Sequence, residues 1–286
     1  MTCRETVAPQ WRERLAACGL KQLGSLLDDT TEVSRFAGRW ENLGKPGLGG
    51  RRRWRWQWQD GAGDVVLYVK RYAGTPLGEQ WDRIRRQNVR HSRAYWEFVQ
   101  SQRLGEAHIR VPPAVGFVEQ MRGTFERRSA LLLEGVPGDG CDRVWRRLCE
   151  QRAPVTRGIA RHDLAVRLAR FVAAFHGTGF CHRDLYLCHI FVDLDPQGGQ
   201  PPRFALIDLA RTHRPRFRRM RWIIKDLSQL DASACQSGAT RSDRWRFLLA
   251  YLNLQPGAPR ARWYARRIVR KSEKILRRAA RKSQQT

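Results

Sequence analysis

Residues 51–59, RRRWRWQWQ, restrict what this chain can fold into more than any other segment. Trp54, Trp56 and Trp58 alternate with polar residues, and a strict period of two puts all three indoles on one face of a β-strand. A turn, DGAG at 60–63, follows. Then comes VVLYVKRY, a run rich in β-branched residues that predicts a second strand ending at Lys70. Strand, tight turn and strand make a hairpin, and an aromatic face of that size has to be covered. Further short strands are predicted at 114–118 and 130–133, with a helix between the two pairs over residues 78–103 that carries Ile84, Tyr95, Glu97, Phe98 and Val99.

The second half changes period. Leu164, Leu168, Phe171, Val172 and Phe175 share one face of a helix that Gly177-Thr-Gly179 stops. Thr240-Arg-Ser-Asp243 predicts a capping box opening a helix with Trp245, Phe247, Leu248 and Tyr251. Strands gathered N-terminally and helices C-terminally indicate an α+β fold, and 286 residues suffice for a sizeable core. The chain divides into an N-terminal extension (1–35), a strand-rich part (36–137), a helical part (138–256) and a basic amphipathic tail (257–286).

Charge narrows the partners. Lys plus Arg is 54 against 27 acidic residues, a net +27, and 47 of the 54 are arginine. Such a field favours polyanions and is silent about fold. No run approaches the roughly 18 apolar residues of a membrane-spanning helix. The N-terminal twenty residues lack the apolar core of a signal peptide, so a cytoplasmic location is expected. Seven scattered cysteines without a CxxC pair read as reduced thiols.

The chemistry concentrates at HRDLYLCHIFV (182–192), followed by FALID (204–208). An HRD tripeptide after an amphipathic helix, then an apolar strand, then a second strand ending in aspartate, is how the protein-kinase fold arranges its catalytic loop and metal-binding aspartate. Phosphoryl transfer needs one carboxylate to take the proton of the attacking hydroxyl and another to hold Mg²⁺ against the phosphates of ATP. In so arginine-rich a chain an isolated HRD arises easily by chance. Upstream, Lys70 on a strand and Glu97 on a helix stand in the order in which that fold supplies its phosphate-binding lysine and the glutamate that pairs with it. With only seven lysines in the chain, that position carries weight. The glycine-rich stretch at 44–50 has no GxGxxG. It serves equally well as a phosphate loop, through Gly49 and Gly50, or as an ordinary hairpin connection.

The residues HRDLYLCHIFVD, with tyrosine after HRD-x and histidine where protein kinases carry asparagine, resemble the HRDxYxCHFLL motif of the lipopolysaccharide core heptose kinase family. IDLARTHR, KDLSQLDASA and TRSDRWRFLLAYL are similar to that family's C-lobe, and the likeness runs over about residues 30–255. It implies a two-lobed kinase-like fold, with an antiparallel N-lobe sheet carrying one helix and a mainly helical C-lobe. It further implies Asp184 as catalytic base, Asp208 as Mg²⁺ ligand, Lys70 on the ATP phosphates and Glu97 as its partner. The expected reaction is ATP-dependent phosphorylation of a heptose hydroxyl of the lipopolysaccharide inner core. The expected place is the cytoplasmic face of the inner membrane, with an acyl carrier protein as a further partner. The sequence departs from protein kinases at Asp208-Leu-Ala and in a longer, more basic glycine loop.

Around this frame, His189 is expected to orient Asp184 or Asp208 or to contact phosphate, because imidazole is a poor ligand for Mg²⁺. Arg183 precedes the base, but the short stretch from Asp208 to Asp226 leaves little chain for a phosphorylation switch. Arg211, Arg214, Arg216, Arg218, Arg219 and Arg221 fall in that stretch and suit an acidic glycolipid. Asp226 is expected to hold the catalytic loop's backbone. From 260 to 282 eleven basic residues and one acid surround Trp263, Tyr264, Ile268 and Val269, a pattern for an anionic membrane surface or another polyanion. A kinase for another small molecule or a protein, and a basic nucleic-acid-binding protein, are the competing classes. The second has no recognisable binding motif, so no nucleic acid is expected.

Overall fold

The computed structural model describes residues 2–27, 33–44, 50–61, 63–150, 161–194 and 200–284. The chain forms two compact units, Met1–Gly135 and Val136–Thr286.

Unit 1 is built on a six-stranded antiparallel sheet of β1 (Thr2–Val7), β2 (Arg39–Asn42), β3 (Arg51–Asp60), β4 (Gly63–Ala73), β5 (Ala114–Arg122) and β6 (Phe125–Glu134), in the order β1-β5-β6-β4-β3-β2. The tryptophan alternation sets the β3–β4 register: Trp54 faces Val69, Trp56 faces Leu67 and Trp58 faces Val65. This face is covered by the N-terminal segment. Trp11, Leu15 of α1 (Arg12–Ala17), Leu20, Leu23, Leu26, Leu27 and Phe36 pack with the indoles into one core, and Trp40 of β2 stacks on Trp56 at 4.6 Å. Residues 2–27 therefore supply an edge strand and most of the lid over the sheet. The opposite face packs on a helix, through Tyr72, Ala94, Phe98, Phe117, Leu131 and Leu133.

The helix expected over 78–103 is two helices, α2 (Leu77–Arg86) and α3 (Arg93–Glu106). The break follows from a cap: the Ser92 hydroxyl accepts the Tyr95 amide at 3.2 Å and starts α3 afresh. β4 runs on three residues past Lys70, so that lysine lies within a central strand rather than at its end.

Unit 2 contains a small sheet of β7 (Asp139–Gly140), β8 (Ile190–Asp193) and β9 (Arg203–Leu206), with helices α4 (Cys141–Glu150), α5 (Arg161–Gly177), α6 (Arg219–Gln236), α7 (Arg241–Leu252) and α8 (Pro259–Ser283). The periodicity read for α5 is its buried face, with Leu164, Leu168, Val172 and Phe175 inside. The capping box of α7 forms as expected, with the Thr240 hydroxyl accepting the Asp243 amide and Asp243 accepting the Thr240 amide. The basic tail is mostly α8, which packs on α6 and α7. Ala261, Tyr264, Ile268 and Ser272 repeat at helical spacing and are buried, so much of the tail's apolar stripe is spent inside unit 2. Among the described residues no helix is long and apolar enough to cross a membrane.

Candidate active site

In unit 1 the pleat of β4 sends Val65, Leu67 and Val69 toward the indoles and Lys70 and Tyr72 toward α3. The Lys70 ammonium donates to Glu97 Oε1 at 2.6 Å, and the Tyr72 hydroxyl donates to Oε2 at 3.3 Å. Glu97 is fully buried and Lys70 nearly so. Two opposite charges held this way are expensive to desolvate and stable only while paired. Gly50 accepts the Ala73 amide at 2.9 Å, and a Cβ there would lie 1.8 Å from the Ala73 carbonyl oxygen. Glycine at 50 is thus required by the close approach of the backbone at the end of the β3–β4 pair. Gly49 lies outside the described residues.

In unit 2 the HRD loop hangs from Asp226 on α6, which is buried and accepts the amides of His182 at 2.6 Å and Arg183 at 2.8 Å. Asp226 is itself held by the His176 ring of α5 at 3.4 Å, whose Nδ1 shares a hydrogen bond with the Tyr251 hydroxyl of α7 at 2.9 Å. Burial works to raise the Asp226 carboxyl, but the hydrogen bond and charge of His176, with His182 beside it, outweigh burial and hold it below the ordinary carboxylate range. His176, Cys181 and Asp226 are close enough to hold a metal, their ligand atoms within 4.8 Å. Both Asp226 oxygens are already taken by amides, however, and burial pushes the Cys181 thiol up to about 12. The cluster is a strut for the loop.

That strut sustains an unusual backbone. Arg183 and Asp208 have φ of 71° and 60°, in the left-handed region that non-glycine residues avoid, and both fall in the motif. The two loops are laced together. The His182 ring donates to the Ile207 carbonyl at 3.0 Å, and the Ile207 amide donates to the His189 carbonyl at 3.0 Å. His189 spans them, donating from Nδ1 to the Asp184 carbonyl at 2.8 Å with Nε2 3.9 Å from an Asp208 oxygen. Burial disfavours its protonation, but the Cys188 sulfur, the Asp208 carboxylate and the Asp184 carbonyl prevail and lift it to about 9. Imidazole nitrogen is a poor match for Mg²⁺, which prefers oxygen. Asp208, with hard oxygens on a half-buried carboxylate, is the donor here that suits Mg²⁺.

Asp184 is braced by Arg211, which the sequence marked only as one of a basic cluster, and by Gln229, which it did not single out. Arg211 donates to both Asp184 oxygens, at 2.9 and 3.0 Å, and Gln229 Nε2 lies 3.4 Å from Oδ1 and 3.2 Å from the Tyr186 hydroxyl. Lys225 donates to the Arg183 carbonyl, and burial lowers its affinity for a proton. Arg183 is buried over the Trp222 ring at 5.5 Å. One signal for Lys225 was available, since it is one of seven lysines and sits directly before Asp226. Gln229 lies one helical turn beyond and carries no signal.

An antiparallel unit with a buried lysine–glutamate pair, followed by a helical unit with an HRD loop laced to an aspartate turn, defines a protein-kinase-like fold. The chain belongs to the lipopolysaccharide kinase (Kdo/WaaP) family, whose sequence profile matches residues 49–251. It is 31% identical over 161 residues to the lipopolysaccharide core heptose(I) kinase WaaP of Pseudomonas aeruginosa, covering 56% of this chain and 59% of that protein. With the protein of the same name from Escherichia coli K12 it shares 36% identity over 95 residues, 32% of this chain and 35% of the relative. The alignments thus span less than two thirds of these relatives' length. A solved structure described as WaaP in complex with acyl carrier protein superposes with a TM-score of 0.62 at 22% identity, covering 94% of this chain and 99% of that one, a likeness of fold.

Proposed function

We propose that this protein is an ATP- and Mg²⁺-dependent kinase that phosphorylates a heptose hydroxyl of the lipopolysaccharide inner core at the cytoplasmic face of the inner membrane. The observation that carries the reading is the lacing of Asp184 to the Asp208 turn through His189, in a chain of this family. Asp184 takes the proton of the sugar hydroxyl as its oxygen attacks the γ-phosphorus, and the bond to the β-phosphate oxygen breaks to leave ADP. Lys70, aimed by Glu97, holds the phosphates, and His189 positions the base through its carbonyl. Asp208 is the residue that would hold Mg²⁺, which when bound neutralises phosphate charge. Arg211 and Lys225 add positive charge where the transferred group gathers negative charge.

An acyl carrier protein belongs to the same reading. Such carriers are acidic, this chain carries +27, and a solved relative of the fold is described in complex with one. Unit 2 also holds an apolar cavity of about 460 Å³ walled by Leu168, Leu187, Leu230, Trp245, Leu248 and Ile268, a place suited to an acyl chain.

The test is transfer of labelled phosphate from ATP to dephosphorylated core glycolipid. Label should enter the glycolipid and fall by at least about a thousandfold in Asp184→Asn, which keeps shape and loses the base. Equal transfer by the variant, or tight RNA binding without ATP turnover, refutes the reading.

A further inference from the structure

Helix α2 is turned the wrong way round for a soluble protein. Its buried residues are polar, Gln80 at 4% and Arg83 at 1% exposed, while Leu77 is 71% and Trp81 60% exposed. The orientation is enforced by hydrogen bonds to the β5–β6 hairpin. Gln80 Nε2 donates to the Glu126 carbonyl at 2.7 Å, and Gln80 Oε1 accepts the Glu126 amide at 3.2 Å. Arg83 donates to the carbonyls of Asn88 and Thr124. Rolling Leu77 and Trp81 inward would strand the buried Gln80 amide and the charged Arg83 guanidinium without partners, a cost set directly against the gain from hiding the two apolar side chains. The apolar stripe is therefore a fixed outward feature.

It is also continued and rimmed. Phe125, at the start of β6, is 44% exposed and lines one groove with Leu77, Arg122, Arg127 and Arg128. Along the helix, Leu77, Trp81 and the exposed Arg85 fall on one stripe at i, i+4 and i+8. The acids of α2 are neutralised, Glu79 by Arg51 and Arg93 and Asp82 by Arg86. Tryptophan, leucine and phenylalanine bordered by arginine, with Arg85, Arg122 and Arg127 all at the patch, is the composition of a surface that enters the headgroup layer of an anionic bilayer.

We propose that the α2 stripe with the tip of the β5–β6 hairpin is the membrane-docking face of this protein, with an anionic bilayer surface as its partner. The inference names the surface behind the membrane placement proposed above and rests on that reading only in the choice of a bilayer. In the tail Tyr264 and Ile268 are buried while Trp263 and Val269 are about two-fifths exposed, so the α2 stripe, with Leu77 and Trp81 at 71% and 60%, is the more exposed apolar surface of the two.

The test is co-sedimentation of the full chain with phosphatidylcholine vesicles holding about a third phosphatidylglycerol, at about 0.15 M salt. Leu77→Ser/Trp81→Ser keeps every charge and removes no core contact, so a loss of binding isolates insertion. Binding should fall by about tenfold or more. Phe125→Ser, on a different element, should weaken it in the same direction, and unchanged thermal melts show that both variants fold. Vesicle binding by the double variant equal to the parent overturns the proposal, as does a parent that does not bind. Loss of binding to acyl carrier protein with vesicle binding intact also overturns it, since the partner would then be a protein. Labelled phosphate transfer to delipidated core separates the two readings. A parent that transfers nothing yet docks through Leu77 and Trp81 refutes the kinase and leaves the docking face standing.

Discussion

At the scale of single residues, the proposed site is built from charges that are stable only in company. Lys70 and Glu97 are the clearest pair, 2.6 Å apart with the glutamate fully buried. Lys70→Met leaves the carboxylate without its ammonium and should cost about 3–5 kcal/mol in urea unfolding. Adding Glu97→Leu should restore most of that stability while phosphate transfer stays lost, which separates the pair's structural role from its functional one. A single Lys70→Met variant as stable as the parent contradicts this account. Asp226 makes a prediction about pH. Its carboxyl sits lower in the folded protein than the roughly 3.9 of an unfolded chain. Its contribution to stability is therefore complete above about pH 5 and drains away as pH falls through the folded value. Asp226→Asn should lower stability at pH 7 and flatten the acid side of the stability curve between pH 5 and 3. A variant curve running parallel to the parent's excludes the assignment.

At the scale of elements, what matters is which face each helix hides. α3 takes its register from the Ser92 cap, and this puts Glu97 under Lys70. α8 hides Tyr264 and Ile268, with the Tyr264 hydroxyl donating to Met220 Sδ at 3.2 Å. Removing the tail thus removes part of a core as well as a basic surface. Tyr264→Ala should destabilise unit 2 by about 3 kcal/mol, read as an earlier thermal transition, whereas Arg266→Ala on the exposed side should leave it within about 0.5 kcal/mol. Equal effects from the two would show that α8 is not packed as described.

For the molecule as a whole, the net charge of +27 is a standing repulsion that salt screens. Raising ionic strength from about 0.05 to 0.5 M should raise Tm by several degrees while weakening attachment to any polyanion. A Tm that falls with salt would mean that ion pairs such as Arg93–Glu79 outweigh the repulsion.

The sequence by itself determined the pieces whose physics is local. Three tryptophans at period two can only be one face of a strand, Thr240 and Asp243 three residues apart are a capping box, and HRD followed by a strand-end aspartate places two carboxylates on neighbouring loops. Lysine rarity pointed to Lys70 for the same reason, because its signal is a residue type at a position. What only the tertiary structure decided are relations between distant positions. That residues 11–27 cover the tryptophan face, that Arg211 and Gln229 brace Asp184, and that α8 is packed all depend on which surfaces meet. The orientation of α2 is the sharpest case. The sequence carries no reading for Leu77 and Trp81, and they face out because Gln80 and Arg83 find backbone partners on a hairpin some 40 residues further along the chain, which no pattern within the helix records.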